Sequence, residues 1–199
     1  PVTPLIHVFD LGNVLLFFDH APFYQKLAPR CRRPGAMHDA LHEHYHRSGI
    51  GRGEDFAGFY QGMAHALDLD MSFDEFRLAW RDIFTENTPM LDLVRRSPRP
   101  RFLLSNTASV HVAWIRERFP EVLPLFDGCV LSNEVGAEKP QEAIYREVER
   151  LSGAPSERHL FVDDMPAFVA AARALGWQAV QFTGVEDCAR RLAELSGGR

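Results

Sequence analysis

Five short runs constrain this chain more than anything else in it: LIHVF (5–9), RFLLS (101–105), GCVLS (128–132), HLFVD (159–163) and QAVQF (178–182). Each is strand-sized and apolar along its length rather than alternating, the pattern of strands in a parallel sheet covered on both faces. Between the later runs the apolar residues fall at helical spacing. Ile144, Val148 and Leu151 share one face, Val169 through Leu175 form an alanine-rich helix stopped by Gly176, and Val185, Cys188, Leu192 and Leu195 share another. Strand and helix therefore alternate, which predicts an α/β fold with a three-layer, Rossmann-like, doubly wound sheet. Ligands of such sheets sit beyond the carboxyl ends of the strands.

The first crossover breaks the rhythm. More than ninety residues lie between Asp10 and Ser105, where later strand-to-strand steps take about thirty. The intervening segments HDALHEHYH, EDFAGFYQGMAHAL and SFDEFRLAWRDIF read as helices, the last opening with Ser72 and Glu75 at capping-box spacing. This predicts a helical cap over residues 19–95, inserted into a core made of residues 1–18 and 96–199. The prolines of RRSPRPR (95–101) mark the return to the core.

A chain of 199 residues, 46% hydrophobic and 25% charged, suits one globular core with one insertion. The net charge of −5 argues against a nucleic-acid partner and leaves small solutes as the expected ligands. Cys31, Cys129 and Cys188 are few, odd in number and without CxxC spacing, as expected of reduced thiols. No segment approaches the length of a membrane span and no signal sequence is evident, so the expected setting is cytoplasmic, with no membrane partner.

Each apolar run delivers polar residues at its end: Asp10 after the first, Ser105 and Asn106 after the second, Lys139 beyond the third, Asp163 and Asp164 at the fourth. In a parallel sheet these ends share one edge, so scattered positions converge on one pocket. The set suits phosphoryl transfer. A carboxylate attacks phosphorus only where the negative charge of both partners is neutralised, and a hard cation such as Mg²⁺ does that through one or two carboxylates. Asp10 and Asp164 supply such carboxylates, with Asp163 beside or just behind them. Ser105 offers a hydroxyl to a phosphate oxygen and Lys139 a point charge. The chain has only two lysines, Lys26 and Lys139, and the second precedes Pro140 in a glycine- and proline-flanked loop, GAEKP.

VFDLGNVL, LLSNT, EVGAEKPQEAIY and FVDDMPAFVAAARALG resemble, in this order, the four motifs of the haloacid dehalogenase (HAD) superfamily, in the subgroup with a helical cap after the first strand. The resemblance covers essentially the whole chain. It implies a five-stranded parallel sheet of order 5-4-1-2-3 and an Mg²⁺-dependent phosphohydrolase acting on a small phosphorylated metabolite. It assigns Asp10 as nucleophile, Ser105 and Asn106 to phosphate, Lys139 to charge neutralisation, and Asp163, Asp164 and the Gly12 carbonyl to the metal. Receiver domains share several of these groups, but their acidic pair lies on the first strand and here it lies on the fourth.

Two positions depart from that pattern. Phosphatases of this family usually carry a second aspartate two residues after the nucleophile, as acid and base for the leaving group and water; this chain has Gly12. Its absence calls for a leaving group that departs unprotonated (anomeric, acyl or aryl), a proton from the cap or Asp19, or near-inactivity. The FDLGNV form resembles bacterial α-glucose-1-phosphate phosphatases, which implies a sugar 1-phosphate. A 2-haloacid dehalogenase, or a weakly active module that binds a ligand or partner, are the alternative readings. The second departure is Phe168, where related sequences often have an asparagine that orders the acidic loop or the lysine. On the cap, His38, His42 and His46 recur at helical spacing, and His46 and Arg47 are the expected substrate-facing residues; solvent-facing or mutually bonded histidines are favoured over a metal site.

Overall fold

The computed structural model describes residues 4–53 and 56–197. Five parallel strands form the central sheet: β1 (Ile6–Phe9), β4 (Arg101–Ser105), β5 (Gly128–Leu131), β6 (His159–Asp163) and β7 (Gln178–Gln181), in the order β5-β4-β1-β6-β7. Numbered among these five strands alone and read from the β7 edge, the order is 5-4-1-2-3, as expected. The labels run ahead because two short strands, β2 (Leu16–Phe18) and β3 (Phe84–Glu86), pair antiparallel outside the sheet.

The sheet is apolar on both sides because both sides are covered. Ile6 and Val8 of β1, with Phe102, Leu104 and Phe161, pack against α8 (Glu142–Ser152) and α9 (Pro166–Ala174) through Ile144, Tyr145, Val148, Val169 and Ala172. Phe9, Leu103, Leu160 and Val162 face the other way. They meet α5 (Thr88–Arg96), α6 (Ser109–Arg118) and α10 (Val185–Gly197). The period of two along each strand thus feeds two separate cores, which explains why, His7 of β1 apart, the strand interiors are apolar.

Helices α1 (Ala21–Leu27), α2 (Met37–Ser48), α3 (Phe56–Leu67) and α4 (Phe73–Arg81) build a third apolar cluster around Phe23, Phe59, Met63, Phe76 and Trp80. Residues 54–55, the expected start of the α3 segment, lie outside the described residues. Ser72 accepts a bond from the Glu75 N–H while the Glu75 carboxylate accepts from the Ser72 N–H (2.8 Å), the expected capping box. The inserted stretch, expected to run to residue 95, ends in a helix that belongs with the sheet: Met90, Leu91 and Val94 of α5 are buried beside Phe9 and Leu103. The chain leaves the core through β2 and returns through β3, so this two-stranded ribbon is the doorway of the insertion.

The helical unit also touches the core at a distance from that doorway. Ser132, at the start of the short helix α7 (Ser132–Val135), accepts from the Thr107 N–H (2.9 Å) and donates to the Gly51 carbonyl. Gly53, at φ +85, lets the loop pass the Asn133 carbonyl, which a Cβ would meet at 2.3 Å. Among the described residues no helix is long and apolar enough to cross a membrane.

Candidate active site

Asp10 follows β1, the middle strand, and its N–H still bonds the Val162 carbonyl (2.9 Å), so its side chain leaves the sheet edge between two neighbours. Lys139 reaches it from the loop after α7, with Nζ 2.8 Å from Asp10 Oδ1 and 2.6 Å from Asp163 Oδ2. All three residues are buried. Asp163 spends its other oxygen on the Met165 N–H (2.8 Å), where it also steadies the start of α9. Asp164 is half-buried, and each of Asp10, Asp163 and Asp164 offers an oxygen within 4.8 Å of the others. Among the described residues this is the one group of three or more such side chains that could hold a metal ion; His38, His42 and His46 do not form one.

Two carboxylates share the Lys139 ammonium and a third lies beside them. Burial, with the charge of Asp163 adding and that of Lys139 opposing, pushes the Asp10 carboxyl up to about 7. Burial and Asp163 also raise Asp164. Burial works against the Lys139 ammonium, but Asp10 and Asp163 outweigh it and hold the group charged. The cluster carries an excess of negative charge that a cation would relieve, and its donors are hard oxygens of the kind Mg²⁺ takes.

Three further side chains hold this arrangement, of which Asn13 is one that the sequence had not singled out. Asn13, at φ 55, makes the tight turn after Gly12 and donates from Nδ2 to Asp164 Oδ2 (3.4 Å). A Gly-Asn pair after a strand is a visible signal for that turn, because asparagine tolerates the left-handed region. Asn106 braces the lysine loop from both sides: its Oδ1 accepts from the Lys139 N–H (2.7 Å) and its Nδ2 donates to the Lys139 carbonyl (2.9 Å). Phe168 fills the place of the expected asparagine with its ring, whose centre lies 4.9 Å from Lys139 Nζ, a cation–π contact. Lysine ordering is thus shared between Asn106 and an aromatic face.

Ser105, at the end of β4, is buried and its Oγ makes only a long 3.5 Å contact to the Asn106 carbonyl. Ser105, Asn106 and Gly12 line one end of a cavity of about 650 Å³ that extends under α1, α2 and α4. His38, His42 and His46 line it as well, with the His42 and His46 rings 4.9 Å apart. Arg47 does not. One residue further round the helix, its guanidinium is exposed and pairs with Glu43 at 2.6 Å, so the expectation that it faces substrate is corrected. Asp19 lines the cavity but accepts from the N–H of Ala21, the first residue of α1 (2.8 Å).

A family model for haloacid dehalogenase-like hydrolases matches residues 7–176. The chain belongs to that family. Enolase-phosphatase E1 of Streptomyces avermitilis is 35% identical over 78 residues, which is 38% of this chain and 32% of that protein. The curated relatives that the chain matches are longer; it aligns with 14% and 32% of their lengths. Among solved structures, a HAD family enzyme from Bacteroides thetaiotaomicron, also crystallised with magnesium and inorganic phosphate, superposes with a TM-score of 0.77 at 22% identity, covering 90% of this chain and 94% of that one. The L-2-haloacid dehalogenase of Xanthobacter autotrophicus superposes at 0.66 with 20% identity, over 99% of this chain and 84% of that one. At these identities the structures establish a shared fold, and this HAD protein's chemistry must be argued from its own residues.

Proposed function

We propose that this protein is an Mg²⁺-dependent phosphohydrolase that acts on a small phosphorylated metabolite through an aspartyl-phosphate on Asp10. The observation that carries the reading is the carboxylate of Asp10, at the end of the middle strand, bound to a buried lysine at 2.8 Å and grouped with two more carboxylates within 4.8 Å. Asp10, Asp164 and the Gly12 main chain would hold the metal, with Asp163 turned toward Lys139. When bound, Mg²⁺ draws charge from the phosphate oxygens and lets the Asp10 carboxylate stay ionised. Magnesium and phosphate in the Bacteroides enzyme, and the phosphatase among the sequence relatives, support the same class.

Asp10 attacks phosphorus and the bond to the leaving oxygen breaks. Ser105 donates to a phosphate oxygen, and Lys139 meets the charge that gathers on the transferring group. Water then attacks the phosphorus of the aspartyl-phosphate, releasing phosphate and the Asp10 carboxylate, a leaving group that needs no proton. Gly12 has no side chain to protonate the first leaving group, so the substrate is an activated ester or anhydride; α-glucose 1-phosphate, the expectation from FDLGNV, belongs to that class. Release of phosphate from acetyl phosphate, with Mg²⁺ or chelator, tests the reading on wild type and Asp10→Asn. Metal-dependent release abolished in the variant is expected. Gly12 also suits a dehalogenase, since halide leaves unprotonated, and chelator-insensitive chloride release from a 2-haloacid without phosphate release would establish that reading instead.

A further inference from the structure

The carboxylate cluster explains how a phosphate is held; the cavity beside it bears on what the phosphate is attached to. The wall next to Gly12 is aromatic. Phe18 on β2, His20 and Tyr24 at the start of α1, and Phe84 on β3 line it, and the His20 ring stacks on Trp80 at 5.4 Å between centres and 14° between planes. A Cβ on residue 12 would stand 3.1 Å from Cε1 and 3.3 Å from Cδ1 of Phe18. An aromatic edge thus covers the position from which an acid would reach the leaving group.

Part of the hydrogen-bonding capacity around this wall is already spent. Both ends of the Asn106 amide are spent on the Lys139 backbone, an Asp19 oxygen on the Ala21 N–H, and His111 Nε2 on the Trp80 carbonyl (3.2 Å). Among the described residues no arginine, lysine, glutamate or glutamine lines the cavity. A sugar hydroxyl that met the rings of Phe18 and Phe84 would be left unpaired, and each unpaired hydroxyl weakens binding; the other side-chain partners in the cavity include the hydroxyls of Tyr24, Tyr45 and Thr107 and the imidazoles of His38, His42 and His46. A planar apolar ring needs no such partners and gains from ring–ring contact.

Leaving-group chemistry points the same way. A phenol loses its proton near pH ~10, as tyrosine does, whereas water holds its own to about 15.7 and simple alcohols behave like water. A phenolate can depart without an acid where an alkoxide cannot. We propose that the site is built for aromatic phosphate monoesters, with the aryl ring received by the wall of Phe18, His20 and Tyr24 that Trp80 backs. This rests on the phosphohydrolase reading. In the step, Asp10 forms its bond to phosphorus as the bond from phosphorus to the aryl oxygen breaks. The electron pair stays on that oxygen, and the phenolate takes a proton from solvent after it leaves.

The test compares Mg²⁺-dependent kcat/KM for phenyl phosphate, 2-naphthyl phosphate, α-glucose 1-phosphate and acetyl phosphate. Phenol and 2-naphthol leave with similar ease, so a difference between them reads the cavity; the fused ring should lower KM about fivefold or more. Phenyl phosphate should exceed α-glucose 1-phosphate. Tyr24→Ala, and independently Phe18→Leu, should reduce the ratio of naphthyl to acetyl phosphate kcat/KM about tenfold. The inference is overturned if α-glucose 1-phosphate is the better substrate, or if neither variant moves that ratio while acetyl phosphate is still hydrolysed. Loss of acetyl phosphate hydrolysis in wild type would instead remove the phosphohydrolase reading, and this inference with it.

Discussion

Gly12 is where a side chain matters by being absent. Its backbone is not in the left-handed region, and the nearest atoms to an added Cβ belong to the half-exposed end of Phe18, so an aspartate fits once that ring moves. Gly12→Asp combined with Phe18→Ala should raise hydrolysis of an alkyl ester such as glycerol 2-phosphate by about 10²-fold, the lower end of what general acid–base help contributes, read as kcat/KM. An unchanged rate would mean that another group already supplies the proton. Asn13 acts on the metal side. Asn13→Gly keeps the freedom needed at φ 55 but removes the bond to Asp164, so Mg²⁺ affinity should fall about tenfold by calorimetric titration while the fold is retained. Neither effect is visible from composition.

Among the elements, the five core strands were legible from their unbroken apolar runs, and the helices between them and the capping box before α4 from their spacing. Ser72→Ala breaks that box and should destabilise the protein by about 1 kcal/mol in urea unfolding, because the Glu75 N–H in the first turn loses its partner. The β2–β3 ribbon was not legible. Each strand is three residues long, and Phe17 and Phe18 are adjacent, so no alternation marks them. α5 was assigned to the insertion because it precedes the prolines of RRSPRPR; only the burial of Met90, Leu91 and Val94 against the sheet shows which core it completes.

In the molecule as a whole, the helical unit and the sheet meet through Trp80 and His111. The His111 ring stacks on Trp80 at 5.0 Å and its Nε2 bonds the Trp80 carbonyl, and burial pushes its imidazole down from 6.5 to about 4. Above pH 6.5 the ring is neutral in folded and unfolded chains alike. Between 6.5 and about 4 only the unfolded chain takes the proton, so stability falls as pH falls, by up to about 3 kcal/mol from this group. Urea midpoints measured from neutral pH down through that window should drop less for His111→Gln, which keeps a donor but does not titrate. Burial lowers His7, His20 and His159 in the same sense. By itself the sequence determined the parallel sheet, the helices between its first two strands and the set of groups at the strand ends, because unbroken apolar runs and the shared edge of a parallel sheet are local and topological facts. Only the tertiary structure decided that Asn106 and Phe168 hold Lys139, that Arg47 faces solvent and that Phe18 lies on Gly12, because those contacts join residues distant in the chain whose directions no spacing rule fixes.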